Sequence, residues 1–372
     1  MRFSAIFSGA MLGVVLVSAH PGHDIGAEVA ERSTMLRRLT RKDLSHCAAK
    51  LNVRGVTARS TKRRRDLAAQ HAKGGSLMGR TLDRLLNESH HSTEQYGLET
   101  LESTIFASNN SCVLSPEVTE GPYYVSGEYI RKNVTEDQRG VGLVLDIQVL
   151  DTETCEPVTG AFLEIWHCNS TGVYSGVSAS GNGNSAVDTS NLNATFLRGV
   201  QKTDSDGTVQ FDTLFPGHYT GRTTHIHVMV HLNATAETNG TLLDTNASHV
   251  GQIFFDQDLI NQVEATAVYS SNTQTLTTNA EDSIAAQEAE TSDPFLEYVL
   301  LGTDVQDGLL GWISFGINTT LSKEVNAAAT YYQTGGESNP NAGGGGAPGG
   351  APPNGTFPGG TPPSGTPPSG TS

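Results

Sequence analysis

Past its first twenty residues this chain of 372 contains no apolar run of membrane-spanning length, so no membrane span is expected. It has no Cys-x-x-Cys pair, which removes the common thiolate metal sites. Basic residues are in short supply: 23 Lys and Arg face 39 Asp and Glu, and the net charge of −16 argues against a nucleic-acid partner. No hydrophobic segment follows the Gly- and Pro-rich stretch at the C-terminus, so a lipid-anchor signal is absent.

What the chain does contain points to export. Met1–Ala19 reads as a signal peptide, with Arg2 ahead of a short apolar stretch and Val17-Ser18-Ala19 ending in small residues. Ten Asn-x-Ser/Thr triplets, Asn133, Asn169 and Asn318 among them, fit a secreted glycoprotein. Four cysteines in an exported chain favour disulfides. Of the three pairings, Cys155–Cys168 is favoured because the two bracket one strand-and-turn unit, leaving Cys47–Cys112.

Three regions follow the signal. Residues 20–92 form a helical, basic leader carrying Lys62-Arg63-Arg64-Arg65, which reads as a solvated helix face or as a processing site for a pro-segment. Residues 93–332 carry short alternating segments, among them Leu143–Val149, Phe162–Trp166, Thr224–Leu232 and Leu310–Ile317, separated by turn signals. Many short strands with little helix predict an all-β fold, an antiparallel β-sandwich. Residues 333–372 are Gly, Pro, Ser and Thr, a composition that predicts a disordered tail.

The chemistry concentrates around His225 and His227. Two apart on a strand, both imidazoles face one side and can share a metal. Zinc and copper sites use the same pair. His231 shares that face but lies about 13 Å further along, too far for the same ion. Tyr219 precedes the pair in the Pro216-Gly217-His218-Tyr219 turn, and Tyr174 follows a strand end upstream. Two phenolates with two imidazoles form a hard, electron-rich set that suits Fe(III). His167 and His218 adjoin these residues and are expected to be structural, as is Trp166.

The segments Glu120-Gly121-Pro122-Tyr123-Tyr124, Ile165-Trp166-His167 with Gly172-Val173-Tyr174-Ser175, Pro216-Gly217-His218-Tyr219, and Arg222-Thr223-Thr224-His225-Ile226-His227 together resemble the intradiol ring-cleavage dioxygenases, in the layout of the secreted fungal branch. The resemblance covers about residues 112–256. It implies a β-sandwich with a mononuclear non-haem Fe(III), held by Tyr174, Tyr219, His225 and His227. It further implies that Tyr219 leaves the metal when substrate binds, that Arg222 lies beside the substrate, and that Gln252 is a polar neighbour of the site. Thr223 departs from the proline found in many members. The implied reaction takes a catechol and O2 to a cis,cis-muconate-type diacid. A β-sandwich that only binds phenolics is the alternative. The sequence carries no signal for oligomeric state.

Overall fold

The computed structural model describes residues 29–30, 33–34, 44–73, 111–113, 121–183, 189–244, 246–289 and 293–339. The signal peptide and the 340–372 part of the tail lie outside the described residues, as does most of the leader on either side of residues 44–73. No helix among the described residues is long and apolar enough to cross a membrane.

Two sheets face one another. The first contains β1 (Ser111–Val113), β2 (Gly142–Asp151), β5 (Thr208–Leu214), β8 (Glu297–Leu300) and β9 (Leu309–Ile317). The second contains β3 (Phe162–Trp166), β4 (Arg198–Lys202), β6 (His225–His231) and β7 (His249–Phe254), in the order β7-β6-β3-β4. The second sheet is antiparallel throughout. The first is mixed, because β9 runs parallel to both β2 and β1. Strict alternation along each strand separates two faces. Leu143, Leu145, Ile147, Phe211, Ile313 and Phe315 from the first sheet meet Leu163, Ile165, Ile226, Val228 and Val230 from the second, and this is the sandwich core.

Alternation has a second consequence. With Ile226, Val228 and Val230 turned inward, His225, His227, Met229 and His231 must all face away from the sandwich. Loops therefore have to cover that outer face, and all four residues are buried.

The leader covers the outer face of the first sheet. The helix α1 (Ala48–Val53) is followed by α2 (Val56–His71), whose buried positions Val56, Ser60, Arg64, Leu67 and Ala68 fall on one stripe at helical spacing. Leu67 and Ala68 pack on Val144, Val299, Leu310 and Trp312. The reading of the basic run as a solvated helix face needs correcting. Arg64 is buried over the Trp312 ring, 5.4 Å from its centroid. Arg63 makes a bidentate pair with the fully buried Asp146, at 2.7 and 3.0 Å. Half of the run is thus not solvated while α2 stays folded.

The disulfide expectation also fails. Cys47 bonds Cys155 across a separation of 108 residues, and Cys168 is a buried free thiol. The side chain of Cys112 lies outside the described residues. Docking of the leader on the first sheet brings Cys47 to Cys155, which bracketing in sequence could not reveal. At the other end, the boundary expected at residue 333 falls inside a hairpin. Gly335–Ser338 pairs with Ala329–Tyr332, and the Asn339 amide donates to the Ala327 carbonyl.

Candidate metal centre

The site is built on one row across the second sheet. Gln252, His227, Trp166 and Arg198 are cross-strand neighbours on β7, β6, β3 and β4. His225 lies one step along β6, opposite Phe254. The indole of Trp166 stacks on the His227 ring, with centroids 4.8 Å apart and planes within 4°. Trp166 is therefore core and also the wall that fixes the ring plane of His227.

Tyr174 and Tyr219 arrive from loops over this face. The Tyr174 backbone is clamped by Asn182, which accepts from its N–H at 2.7 Å and donates to its carbonyl at 2.7 Å. Asn191 donates to the same carbonyl. The two loops meet at Gly172, which has φ +79°; a Cβ there would come within 2.2 Å of the His218 carbonyl oxygen. Only glycine fits both the backbone angle and the contact.

The four donors converge. The Nε2 atoms of His225 and His227 are 3.1 Å apart. Each phenol oxygen, of Tyr174 and of Tyr219, lies 3.5 Å from His225 Nε2. The latter spacing is long for a hydrogen bond. All three separations match neighbouring ligands of one ion at bond lengths of about 2.0–2.2 Å. His225 Nδ1 donates to the Thr223 carbonyl at 2.6 Å, which leaves the Nε2 lone pair directed at the other donors. Burial pushes both phenols well above the ordinary tyrosine range; Tyr219 adds to this at Tyr174, while Arg222 works against it at Tyr219. A phenolate in this enclosure therefore requires a cation, and the donor set fits a hard trivalent ion.

Tyr123 belongs to the Gly121-Pro122-Tyr123-Tyr124 motif. Its ring stacks on Tyr174 at 4.6 Å and meets Tyr219 edge-on at 5.9 Å, closing one side of the site. Arg222 is buried and donates through Nη2 to Gln252 Oε1 at 2.5 Å, so those two residues act as one unit. Its other partner, Asp282, gave no signal in the sequence: Asp282 Oδ2 accepts from Arg222 Nε at 2.8 Å.

The neighbouring histidines point elsewhere. His167 donates from Nδ1 to the Cys168 carbonyl and accepts at Nε2 from the Thr213 hydroxyl, and burial lowers its pKa to about 4. His218 bridges Glu264 and the Gln274 carbonyl. Burial works against its charge, but the Glu264 carboxylate prevails and its pKa is raised. His231 turns to Glu164, 3.1 Å away, and not to the other two histidines of its face.

His231 belongs to a buried polar network beside the site that includes Glu128, Glu164 and Arg198. Burial pushes Glu128 up to about 8 despite Arg198 at 3.7 Å. For His231 burial is the largest effect and lowers its pKa, yet Asp244 and Glu164 together raise it to about 9. Both groups therefore hold protons in the folded chain that the unfolded chain, at ordinary values of 4.5 and 6.5, gives up. The Glu128 contribution to stability falls between pH 4.5 and 8; the His231 contribution is complete below 6.5 and is lost as pH rises through 9. Stability should decline from pH 6.5 to 9, on the order of 1 kcal/mol per unit. Melting temperatures across that range should fall more steeply for the native chain than for Glu128→Gln. Equal slopes would mean that Glu128 is ionised in the folded state.

A family model described as dioxygenase matches residues 119–295. Catechol 1,2-dioxygenase 1 of Acinetobacter lwoffii is 36% identical over 110 residues, 28% of this chain and 32% of that protein. Catechol 1,2-dioxygenase of a Pseudomonas strain is 42% identical over 66 residues, 16% of this chain and 22% of that one. The chain thus spans a third or less of the length of these curated relatives. Among solved structures, an intradiol ring-cleavage dioxygenase from Tetranychus urticae is 34% identical, with 56% of this chain aligned to 95% of that one at a TM-score of 0.45. Matched through the segment that carries its converging tyrosines and histidines, this chain belongs to the intradiol ring-cleavage dioxygenase family.

Proposed function

We propose that the protein is an extracellular Fe(III) dioxygenase that cleaves catechol-type rings between the two hydroxyl-bearing carbons. The products are cis,cis-muconate-type diacids that carry both atoms of O2. The reading rests on one observation above all: two phenol oxygens and two imidazole nitrogens converge in a buried pocket, with a buried guanidinium hydrogen-bonded into the same wall. The names of the relatives support the substrate class. The signal-like N-terminus and the Cys47–Cys155 disulfide support an oxidising, extracellular setting.

Tyr174, Tyr219, His225 and His227 would hold the metal. A ferric ion bound there supplies a Lewis acid that also accepts an electron, which an aromatic diol needs before it can react with triplet oxygen. The protein does the rest. Of the two phenols, Tyr219 is the one that the family resemblance has leaving the metal when a catechol binds. With its pKa raised by burial, the Tyr219 Oη would serve as a sink for the proton of a catechol hydroxyl. His225 and His227, fixed on β6 by the Thr223 carbonyl and Trp166, stay in place. Arg222 remains cationic throughout and stabilises negative charge that develops on the ring. Tyr123, Trp166 and Phe254 keep water from the pocket.

The test is oxygen uptake by iron-loaded protein with catechol, hydroxyquinol, protocatechuate and caffeate, together with the visible spectrum. A red to burgundy colour and uptake on at least one substrate, with a ring-opened diacid as product, are expected. A coloured protein that consumes no oxygen on any of the four would point to binding alone. A colourless protein that takes up no iron would remove the ferric site.

A further inference from the structure

We propose that Asp282 is a positioning residue: it presents the Arg222 guanidinium to a bound catecholate. This rests on the dioxygenase reading above and adds a residue to it.

Asp282 is buried, 60 residues beyond Arg222 in the chain. Its Oδ2 accepts from Arg222 Nε and from the Thr223 backbone N–H, both at 2.8 Å. Its Oδ1 accepts from the N–H groups of Ile284 and Ala285 at 2.8 and 3.1 Å, at the start of the short helix Ser283–Ala289. One oxygen thus ties the carboxylate to a helix start and the other ties it to the residue after the arginine as well as to the arginine itself. Arg222 is fixed from the opposite side by Gln252 at Nη2. Anchored at two nitrogens on two different partners, the planar guanidinium has one orientation.

Asp282 ends a strap that grips the turn carrying Tyr219 residue by residue. Asn272 donates to the His218 carbonyl, Gln274 accepts from the Thr220 N–H, and Thr277 accepts from the Gly221 N–H. Asn279 accepts from the Thr223 hydroxyl. The Thr223 N–H contact with Asp282 needs a residue other than proline at 223, since proline has no N–H. Burial raises the carboxyl's pKa, but Arg222 and the backbone N–H groups outweigh that and hold it at about 2, so Asp282 is the anionic partner at any working pH.

A purely structural alternative is that Asp282 only caps the helix that follows it. Serine is an equal cap but too short to reach Arg222, so Asp282→Ser keeps the cap and removes the partner. The experiment uses full-length, iron-loaded protein and titrates 4-nitrocatechol by its absorbance. Asp282→Ser should keep the iron content and the visible band of the catechol-free protein. It should weaken 4-nitrocatechol binding on the order of 10- to 100-fold, the scale of a misplaced binding group. Placed on Arg222→Ala, the same change should add less than about twofold, because its target is already gone. If Asp282→Ser does not fold, Asp282→Asn, which keeps shape and capping, carries the same comparison with the same expectations. Native-like affinity in either variant, losses that multiply in the double variant, or loss of iron would each overturn the role given to Asp282. A native protein that binds no 4-nitrocatechol overturns the dioxygenase reading itself, and this role with it.

Discussion

His225→Ala should leave a folded, colourless protein without ring-cleaving activity. His225 faces outward from the sandwich, and its Nδ1 bonds the Thr223 carbonyl. Its loss takes nothing from the core formed by Ile226, Val228 and their partners. The far-ultraviolet spectrum should therefore match that of the native chain. The metal is another matter. His225 Nε2 lies within reach of all three other donors, at 3.1, 3.5 and 3.5 Å. Removing it leaves two phenols and one imidazole, a set one donor short. Metal assistance contributes several kcal/mol to such reactions, which corresponds to roughly a thousandfold or more in rate. Iron analysis, the visible band and oxygen uptake should all collapse together. Retention of iron and colour would mean that the donors were assigned to the wrong residue.

Arg198→Ala should produce the largest loss of stability among single changes near the site. Arg198 is fully buried between β4 and the Tyr174 loop. Its Nη2 donates to the carbonyls of Tyr123 and Ser175, both at 2.7 Å, and its Nε donates to the Ser175 carbonyl and hydroxyl. Those residues flank the stacked pair Tyr123 and Tyr174, and the guanidinium itself lies 6.0 Å from the Tyr174 ring centroid. An orphaned buried acceptor costs about 1–3 kcal/mol, and two of them plus a displaced ion partner sum to about 3–5 kcal/mol. With Glu128 largely protonated near neutrality, the carbonyls outweigh the ion pair in that sum. Melting should drop by about 10 °C or more, and the visible band should weaken as the Tyr174 loop loosens. Arg198→Met should not rescue either, because it restores volume but no donor. A melting point within about 2 °C of native would show that water replaces the guanidinium, a smaller cost than the one assigned here.

Much of the site is legible in sequence because it is local. His225 and His227 need only strand periodicity, and Tyr219 and Arg222 lie within six residues of His225. Tyr174 follows a strand end marked by turn residues. The strands themselves follow from alternation, since β2, β3, β6 and β9 all fall where the pattern places them. What escapes sequence reading is long-range. The parallel pairing of β9 with β2 depends on the path of the chain. Asp282 and Arg198 look like ordinary polar residues until the fold sets them against Arg222 and the Tyr123 carbonyl. Arg64 escapes for a different reason. Its chemistry argues for solvent, and only the Trp312 face and the acidic groups beneath α2 make burial tolerable. The error in the cysteine pairing has the same root, because nothing in the strand pattern announces that the leader is part of the folded body.

The Cys47–Cys155 bond closes a covalent ring, and α2 and β2 both lie inside it. One cut anywhere in that ring, the Lys62–Arg65 run included, opens it but separates nothing: both fragments stay joined through sulfur. A nicked molecule would keep its full mass on a non-reducing gel and split only under thiol. Release of the leader past Cys47 thus requires two chemistries, hydrolysis and reduction.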